Sequence, residues 1–216
     1  MDNYTLTLQN LTKSFGRRLI FKDINAEFKS GNIYGFAGSN GSGKSTLAKI
    51  VAGVISPTSG KVNHAQNGIV INSDNLHEHL GFVSPYLILY DEFSAEENIL
   101  HFLKIRGLTA DKEKLNSLFN DFNLYDRRTD LLKGYSSGMK QRIKFIFALV
   151  HNPSLLVFDE PTSNLDIKGK DTVYKIVEQE SKEKLVILAS NEESDLSLCS
   201  ETIYVENFKQ LEISKR

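Results

Sequence analysis

A glycine-rich loop followed by a lysine and two hydroxyl residues is the part of the chain best suited to chemistry. Residues 38–45 fit the pattern G-x-x-x-x-G-K-[ST]. Glycines let successive backbone N–H groups turn inward toward an anion, and a helix that starts at the end of the loop adds its positive dipole. Lys44 adds a positive charge, and the Ser45 hydroxyl can bind Mg²⁺. The predicted phosphate-binding residues are Gly38, Ser39, Asn40, Gly41, Ser42, Gly43, Lys44, Ser45 and Thr46.

Two adjacent acids follow an apolar segment later in the chain. Residues 155–158 read Leu-Leu-Val-Phe, and Asp159 and Glu160 come next. A short, continuously apolar run is typical of a strand buried on both faces. Asp159 is predicted to hold Mg²⁺ and Glu160 to polarise the attacking water. An acidic pair after a strand is more often the start of a solvated loop, so this interpretation depends on the phosphate loop in the same chain.

A third segment, residues 135–142, begins a helix predicted to be buried. Its sequence is Tyr-Ser-Ser-Gly-Met-Lys-Gln-Arg, and we call it the signature segment. Ser136 is a typical helix cap, and Gly138 lets another backbone or a ligand approach closely. A capped helix N-terminus of this kind is suited to a phosphate group, although an ordinary buried helix would begin in the same way.

Strands alternating with helices must position these three segments. Tyr4, Leu6 and Leu8 alternate with polar residues, which predicts a half-buried strand, and a second strand is predicted over 21–28. Residues 57–83 are predicted to form short strands and turns. The predicted strands are 33–37, 155–158, 184–189 and 202–205; the predicted helices are 44–53, 96–105, 112–122, 136–150, 168–181 and 192–199. This order favours a mainly parallel α/β sheet.

Together, the three segments resemble those of the ATP-binding cassette (ABC) ATPases, and the resemblance covers essentially the whole chain. Two positions of the signature segment match the family's LSGGQ pattern, and three differ. The resemblance implies an α/β fold: a P-loop NTPase (RecA-like) core with a mainly parallel sheet, N-terminal antiparallel β strands and an inserted α-helical subdomain. It implies a single ATP-binding domain over 1–216, with 1–84 and 152–216 as the catalytic core and 85–151 as the helical subdomain.

The same resemblance implies roles for individual residues, with ATP and Mg²⁺ as cofactors. Phe15 lies where the family has an aromatic ring that stacks on adenine; the alternative is a phenylalanine of the core. The residues implied to contact ATP bound by a second subunit are Ser136, Ser137 and Gly138. Ser163 and Asp166 are implied to face that subunit.

Two polar residues of the family pattern are absent. Pro85 and Tyr86 occur where the family has a glutamine, and Asn191 occurs where it has a catalytic histidine. Asparagine can donate a hydrogen bond to a γ-phosphate oxygen, but it cannot carry a positive charge or shuttle a proton. Hydrolysis is therefore predicted to be slow in the isolated protein, with ATP binding largely intact.

Composition excludes several functional classes. The 216 residues include 26 Lys and Arg against 27 Asp and Glu, so nucleic acid is not expected as a partner. A single cysteine, Cys199, excludes an internal disulfide framework. The longest apolar runs, 145–150 and 185–189, are far shorter than the roughly 20 residues of a membrane helix. With no signal-peptide pattern at the N-terminus, the expectation is a cytoplasmic protein, peripheral at the membrane through a partner.

Two functions fit the family resemblance. The first is the ATP-binding and hydrolysing subunit of an ABC transporter, which forms a head-to-tail homodimer and powers a separate membrane permease. The alternative is a soluble, non-transport ABC ATPase that acts as an assembly or translation factor. Residues 89–98 and 135–142 resemble short cassettes of the haem-exporter or cytochrome c maturation type and equally those of the multidrug type, so they do not identify the substrate.

Overall fold

The computed structural model describes residues 3–209, which form two β-sheets and seven α-helices. Residues 1–2 and 210–216, which belong to the predicted core segments, lie outside the described residues. The strands are β1 (Tyr4–Phe15), β2 (Arg18–Lys29), β3 (Asn32–Ala37), β4 (Ser59–Gln66), β5 (Ile69–Val70), β6 (Leu80–Val83), β7 (Leu155–Asp159), β8 (Leu185–Ser190) and β9 (Glu201–Tyr204). The helices are α1 (Lys44–Val51), α2 (Leu76–His79), α3 (Ala95–Ile105), α4 (Lys112–Asp121), α5 (Ser137–Leu149), α6 (Ile167–Ser181) and α7 (Glu193–Leu196).

The smaller sheet is antiparallel, with strand order β2-β1-β4-β5. Tyr4, Leu6 and Leu8 are buried, which confirms the period-two prediction for β1. Leu6 pairs with Phe28 of β2 on one side and with His64 of β4 on the other. The sheet therefore presents one apolar face to the rest of the molecule. The predicted N-terminal antiparallel strands are confirmed.

The larger sheet is entirely parallel, with strand order β6-β7-β8-β3-β9. Its central strands are buried on both faces because alternate residues enter two different cores. Leu155 and Val157 pack with α1 and the antiparallel sheet, whereas Leu156 and Phe158 pack with α3, α4, α5 and α6. This two-sided burial explains why the apolar run of β7 is continuous rather than alternating.

The helices between β6 and β7 are held by local caps and by the shared core. At the start of α3, Ser94 and Glu97 form a reciprocal capping box, and at the start of α5 the Ser136 hydroxyl accepts a hydrogen bond from the Met139 amide. The cap predicted for Ser136 is therefore confirmed. The subdomain boundaries at 85 and 151 stay a prediction. Among residues 3–209, no helix has the length and apolar character that crossing a bilayer demands.

Several local predictions differ from the structure. Residues 76–79 form the short helix α2 rather than a strand or turn; a single turn is too short to show a helical hydrophobic period. Helix α7 ends at Leu196, before the predicted end at 199. The last strand ends at Tyr204, and Val205–Phe208 form a 3₁₀ turn, which brings this segment close to the phosphate loop.

Candidate functional site

The parallel sheet brings the predicted site residues to one edge. In the strand register, Ala37 of β3 lies beside Ser190 of β8, and Ala189 of β8 lies beside Asp159 of β7. The residues that follow these strands, Gly38, Asn191 and Glu160, therefore leave the sheet at the same end. Ligands of open parallel sheets bind at the carboxyl ends of the strands, so this edge is the candidate site.

The backbone of the phosphate loop depends on glycine at defined positions. Gly43 has φ +115°, and a Cβ atom there would lie 2.6 Å from Cγ2 of Ile20. Both the left-handed conformation and the close approach disfavour any larger residue. Helix α1 begins at the next residue, Lys44, so the positive end of its dipole points into the loop.

The Lys44 side chain is buried beneath the loop, with 4% of its surface exposed. Its ammonium group donates hydrogen bonds to the carbonyl oxygens of Gly38, at 2.8 Å, and Ser39, at 3.1 Å. An ammonium group has three donors, so these two bonds leave one N–H for a ligand. Lys44 thus cross-links the loop through two carbonyl groups and keeps its ammonium group beneath it.

Ser45 and Asp159 form the part of the site that suits a divalent cation. The Ser45 hydroxyl donates to Oδ1 of Asp159 at 2.8 Å. The other carboxylate oxygen, Oδ2, is buried and accepts no hydrogen bond within the described part of the chain. Burial raises the pKa of Asp159, and the bond from Ser45 opposes that shift. A hydroxyl and a carboxylate with a free oxygen are ligands that fit Mg²⁺.

Glu160 follows the buried strand in a strained backbone conformation. Its φ is +50°, a left-handed value that is uncommon for residues other than glycine, and its amide donates to the Ala189 carbonyl at 2.8 Å. Strained backbone of this kind clusters at functional sites. Asn191 lies exposed after the neighbouring strand. Their catalytic roles stay predictions.

The positions that lack the family glutamine lie at the same edge, after β6. Tyr86 is exposed, and the Lys49 ammonium group lies 4.3 Å from the centre of its ring. Lys144 donates to the carbonyl oxygens of Ser84 and Pro85 at 3.1 and 2.9 Å. The main chain here is therefore anchored to α5 through its carbonyl groups.

The signature segment packs against the chain that follows Glu160. A Cβ atom on Gly138 would lie 2.9 Å from the Asn164 carbonyl oxygen, so a larger residue would push the two backbones apart. Gln141 of the same helix donates to the Pro161 carbonyl at 3.0 Å. Ser136 and Ser137, at the exposed start of α5, are accessible to a second molecule.

The remaining predicted residues have defined surroundings. The Ser163 hydroxyl oxygen is buried without a hydrogen-bond partner among residues 3–209. Asp166 caps α6 by accepting from the Gly169 amide at 2.9 Å, a structural role that the sequence prediction did not include. Phe15, at the end of β1, has 52% of its surface exposed and does not belong to the core. The Lys13 ammonium group lies 4.7 Å from the centre of the Phe15 ring.

One contact of the phosphate loop, between Glu206 and Ser39, is not predicted by the sequence analysis. The Glu206 carboxylate accepts hydrogen bonds from the Ser39 hydroxyl and, at 2.6 Å, from the Ser39 amide. Both hydrogen bonds lower the pKa of Glu206, and the bond from the hydroxyl has the larger effect. The signal that could have found it is the position of Glu206 just after the last strand, which ends at the same edge as β3.

Comparisons with known proteins agree with this geometry. A family model described as ABC transporter matches residues 21–163. The chain is 31% identical over 215 residues to the uncharacterised ABC transporter ATP-binding protein YybJ of Bacillus subtilis, covering 96% of this chain and 94% of that protein. It is 33% identical over 186 residues to the lantibiotic transport ATP-binding protein SrtF of Streptococcus pyogenes, covering 86% and 79%.

Other matches are structural, or cover only part of a longer protein. The fold superposes on a dimeric bacterial ABC transporter cassette, MJ0796, with a TM-score of 0.79 at 24% identity, covering 92% of this chain and 93% of that one. The chain also matches ABC transporter A family members 7 and 9 of Dictyostelium discoideum at 28% and 26% identity over 208 residues. It covers 25% of the length of each of these proteins.

Proposed function

The chain belongs to the ABC transporter family, and from that premise we propose that it is an ATP-binding and hydrolysing subunit that powers a separate membrane permease. The observation that carries the proposal is the convergence of the phosphate loop, the buried Asp159 and the neighbouring Glu160 at one edge of the parallel sheet. These are the groups that a phosphoryl-transfer site needs: a phosphate cradle, a cation ligand and a base.

ATP binding in this proposal uses the loop, α1 and the aromatic ring of Phe15. The backbone amides of the phosphate loop and the third N–H of Lys44 bind the β- and γ-phosphates, and exposed Phe15 stacks on the adenine ring. Ser45 and Asp159 would hold Mg²⁺, which supplies positive charge against the phosphate oxygens.

Hydrolysis uses the two residues at the ends of β7 and β8. Glu160 accepts a proton from water as the water oxygen attacks the γ-phosphorus; the bond to the β-phosphate oxygen breaks, leaving ADP and inorganic phosphate. Asn191 donates a hydrogen bond to a γ-phosphate oxygen. Because this donor is neutral, it stabilises the developing charge less than a protonated histidine would.

Dimerisation completes each ATP site in this proposal. Two copies associate head to tail, and each offers Ser136, Ser137 and Gly138 to the ATP held by the other. The exposure of the two serines and the N-terminal dipole of α5 support that role. Ser163 and Asp166 face the partner. Hydrolysis removes the γ-phosphate contacts that hold the two copies together, so the dimer opens.

An apolar groove on the surface is consistent with a permease partner. It has a volume of about 510 Å³ and lies between the segment after β6 and helices α3 and α5. Ile88 and Ile105 at this groove are 87% and 85% exposed. Large exposed apolar residues grouped at a groove mark a protein interaction site, and the segment over 84–92 is where the family resemblance implies the permease contact.

Replacing Ile88 with glutamate tests the permease contact. We expect Ile88→Glu to reduce the membrane-bound fraction of the protein several-fold in native cells, because a charge in this groove opposes burial of an apolar partner surface. ATP binding should be unchanged. The measurement is quantitative fractionation of native membranes, with ATP affinity measured on the purified variant.

The matched control is Ile69→Glu, which alters an isoleucine of strand β5 that is 73% exposed and does not line the groove. This variant should fractionate like the wild type. Equal membrane association of both variants and the wild type would contradict the groove assignment, and the absence of the wild-type protein from membranes would favour a non-transport role.

Asn191→His is expected to raise ATP turnover about fivefold, since a protonated imidazole forms a charge-assisted hydrogen bond that is stronger by ~1 kcal/mol than a neutral one. The ATP dissociation constant should change little. Steady-state phosphate release at saturating ATP measures the effect. Turnover equal to or below that of the wild type would show that Asn191 is not the residue that limits hydrolysis.

A further inference from the structure

The Asp195 carboxylate is buried beside the site, and no step of the proposed reaction uses it. Only 1% of the residue is exposed, and it lies on α7, the short helix that follows β8. Hydroxyl groups from three separate segments donate hydrogen bonds to it. A buried carboxylate is costly unless its oxygens are hydrogen-bonded, so its presence indicates a task for those bonds.

The first bond joins Asp195 to the turn that carries the candidate base. The Thr162 hydroxyl lies 3.0 and 3.2 Å from the two carboxylate oxygens of Asp195, which is 33 residues away in sequence. Only Pro161 separates Thr162 from Glu160, whose backbone is already in the left-handed region. Fixing Thr162 therefore limits how far the Glu160 turn can relax.

The second bond joins Asp195 to the turn that carries Asn191. The Ser190 hydroxyl donates to Oδ2 of Asp195 at 2.6 Å and accepts from the Glu192 amide at 3.0 Å. One hydroxyl thus links the residues on both sides of Asn191, and the carboxylate orients that hydroxyl. This small network therefore restrains the backbone on both sides of Asn191.

The third bond comes from outside the site. The Tyr174 hydroxyl of α6 lies 2.8 Å from Oδ1 of Asp195. The same hydroxyl lies 3.0 Å from the Ser194 hydroxyl oxygen. Both contacts are with α7 and not with the Glu160 or Asn191 turn, so Tyr174 supports the carboxylate from the helix side. The carboxylate therefore has two contacts toward the site and one away from it, and the bonds can be removed separately.

We propose that Asp195 is a positioning residue that holds the Glu160 turn and the Asn191 turn in one fixed arrangement. The inference rests on the proposed ATP hydrolysis. The base Glu160 and the γ-phosphate donor Asn191 follow two different strands and must be aligned at the same moment. A misplacement of about 1 Å can lower a rate by as much as 100-fold. One buried carboxylate shared by both turns sets that alignment without contacting ATP.

The test compares two single-hydroxyl deletions at the same carboxylate. Thr162→Val keeps the side-chain shape and should lower kcat for ATP about tenfold, with KM for ATP within about twofold of the wild type. Thr162→Ser, which keeps the hydroxyl, should restore most of the turnover. Tyr174→Phe removes the bond from α6 and should leave kcat within about twofold. Melting temperatures of all variants report on stability.

Including Glu160→Gln in the same series separates the possible outcomes. The proposal is supported if the wild type hydrolyses ATP, Glu160→Gln does not, and kcat falls in Thr162→Val but not in Tyr174→Phe. If the wild type hydrolyses ATP and Glu160→Gln does not, but kcat is equal in Thr162→Val and Tyr174→Phe, the positioning role is overturned and the proposed function stands. Turnover that is absent, or insensitive to Glu160→Gln, overturns both.

Discussion

Replacing Glu160 with glutamine is expected to lower ATP turnover by at least about 100-fold, because general base catalysis contributes roughly 10²–10⁴-fold and the amide cannot accept the proton. Glutamine has nearly the same shape, so the strained turn after β7 and the adjacent Asp159 remain in place. The ATP dissociation constant should stay within about twofold. Single-turnover hydrolysis and equilibrium ATP binding, measured on the same preparation, test both parts.

Glu193→Gln is the matched control, since Glu193 is an exposed glutamate near the end of the neighbouring strand β8. It should hydrolyse ATP at the wild-type rate. If Glu160→Gln turned over ATP as fast as Glu193→Gln, Glu160 would not be the base. If it lost ATP binding as well as turnover, its role would be in the architecture of the site rather than in proton transfer.

Lys44→Met is expected to weaken ATP binding by about 10- to 100-fold. The unbranched methionine side chain retains most of the packing of the buried lysine stem, so the substitution removes mainly the charge. Hydrogen bonds to charged groups contribute ~1.5–3 kcal/mol each. The loop also loses the two hydrogen bonds that the Lys44 ammonium group donates to the Gly38 and Ser39 carbonyls. Titration with a fluorescent ATP analogue at fixed ionic strength measures the loss.

Lys61→Met controls for a general loss of positive charge, because Lys61 is exposed on β4 in the antiparallel sheet. Its ATP affinity should match that of the wild type. Comparable affinities of the two variants would mean that loop amides and the α1 dipole hold the phosphates without Lys44. That result would move the main electrostatic contribution from the side chain to the backbone.

Much of the site could be predicted from the sequence because its parts are contiguous. The phosphate loop needs glycines, a lysine and a hydroxyl at fixed spacing, and these requirements act within nine residues. Asp159 and Glu160 are recognisable because a fully apolar strand ends directly before them. The Ser136 cap follows from the hydrogen-bonding needs of a helix start, and the structure confirms it.

The contacts that join these parts could not be predicted in the same way. Glu206 reaches Ser39 across 167 residues of sequence, and Asp195 reaches Thr162 across 33. No local sequence pattern around either acid identifies its hydrogen-bond partner. Their roles depend on the strand order, which places β9 beside β3 and β7 beside β8.

The division has a physical cause. Backbone conformation, capping and the turn toward a phosphate are decided by neighbours along the chain, so residue types and spacing specify the phosphate loop, the acidic pair and the signature segment. Partners of buried polar groups are decided by which strands pair, through apolar burial summed over the whole chain. Asp195 became recognisable as a shared hydrogen-bond acceptor only when folding brought Thr162, Tyr174 and Ser190 around it.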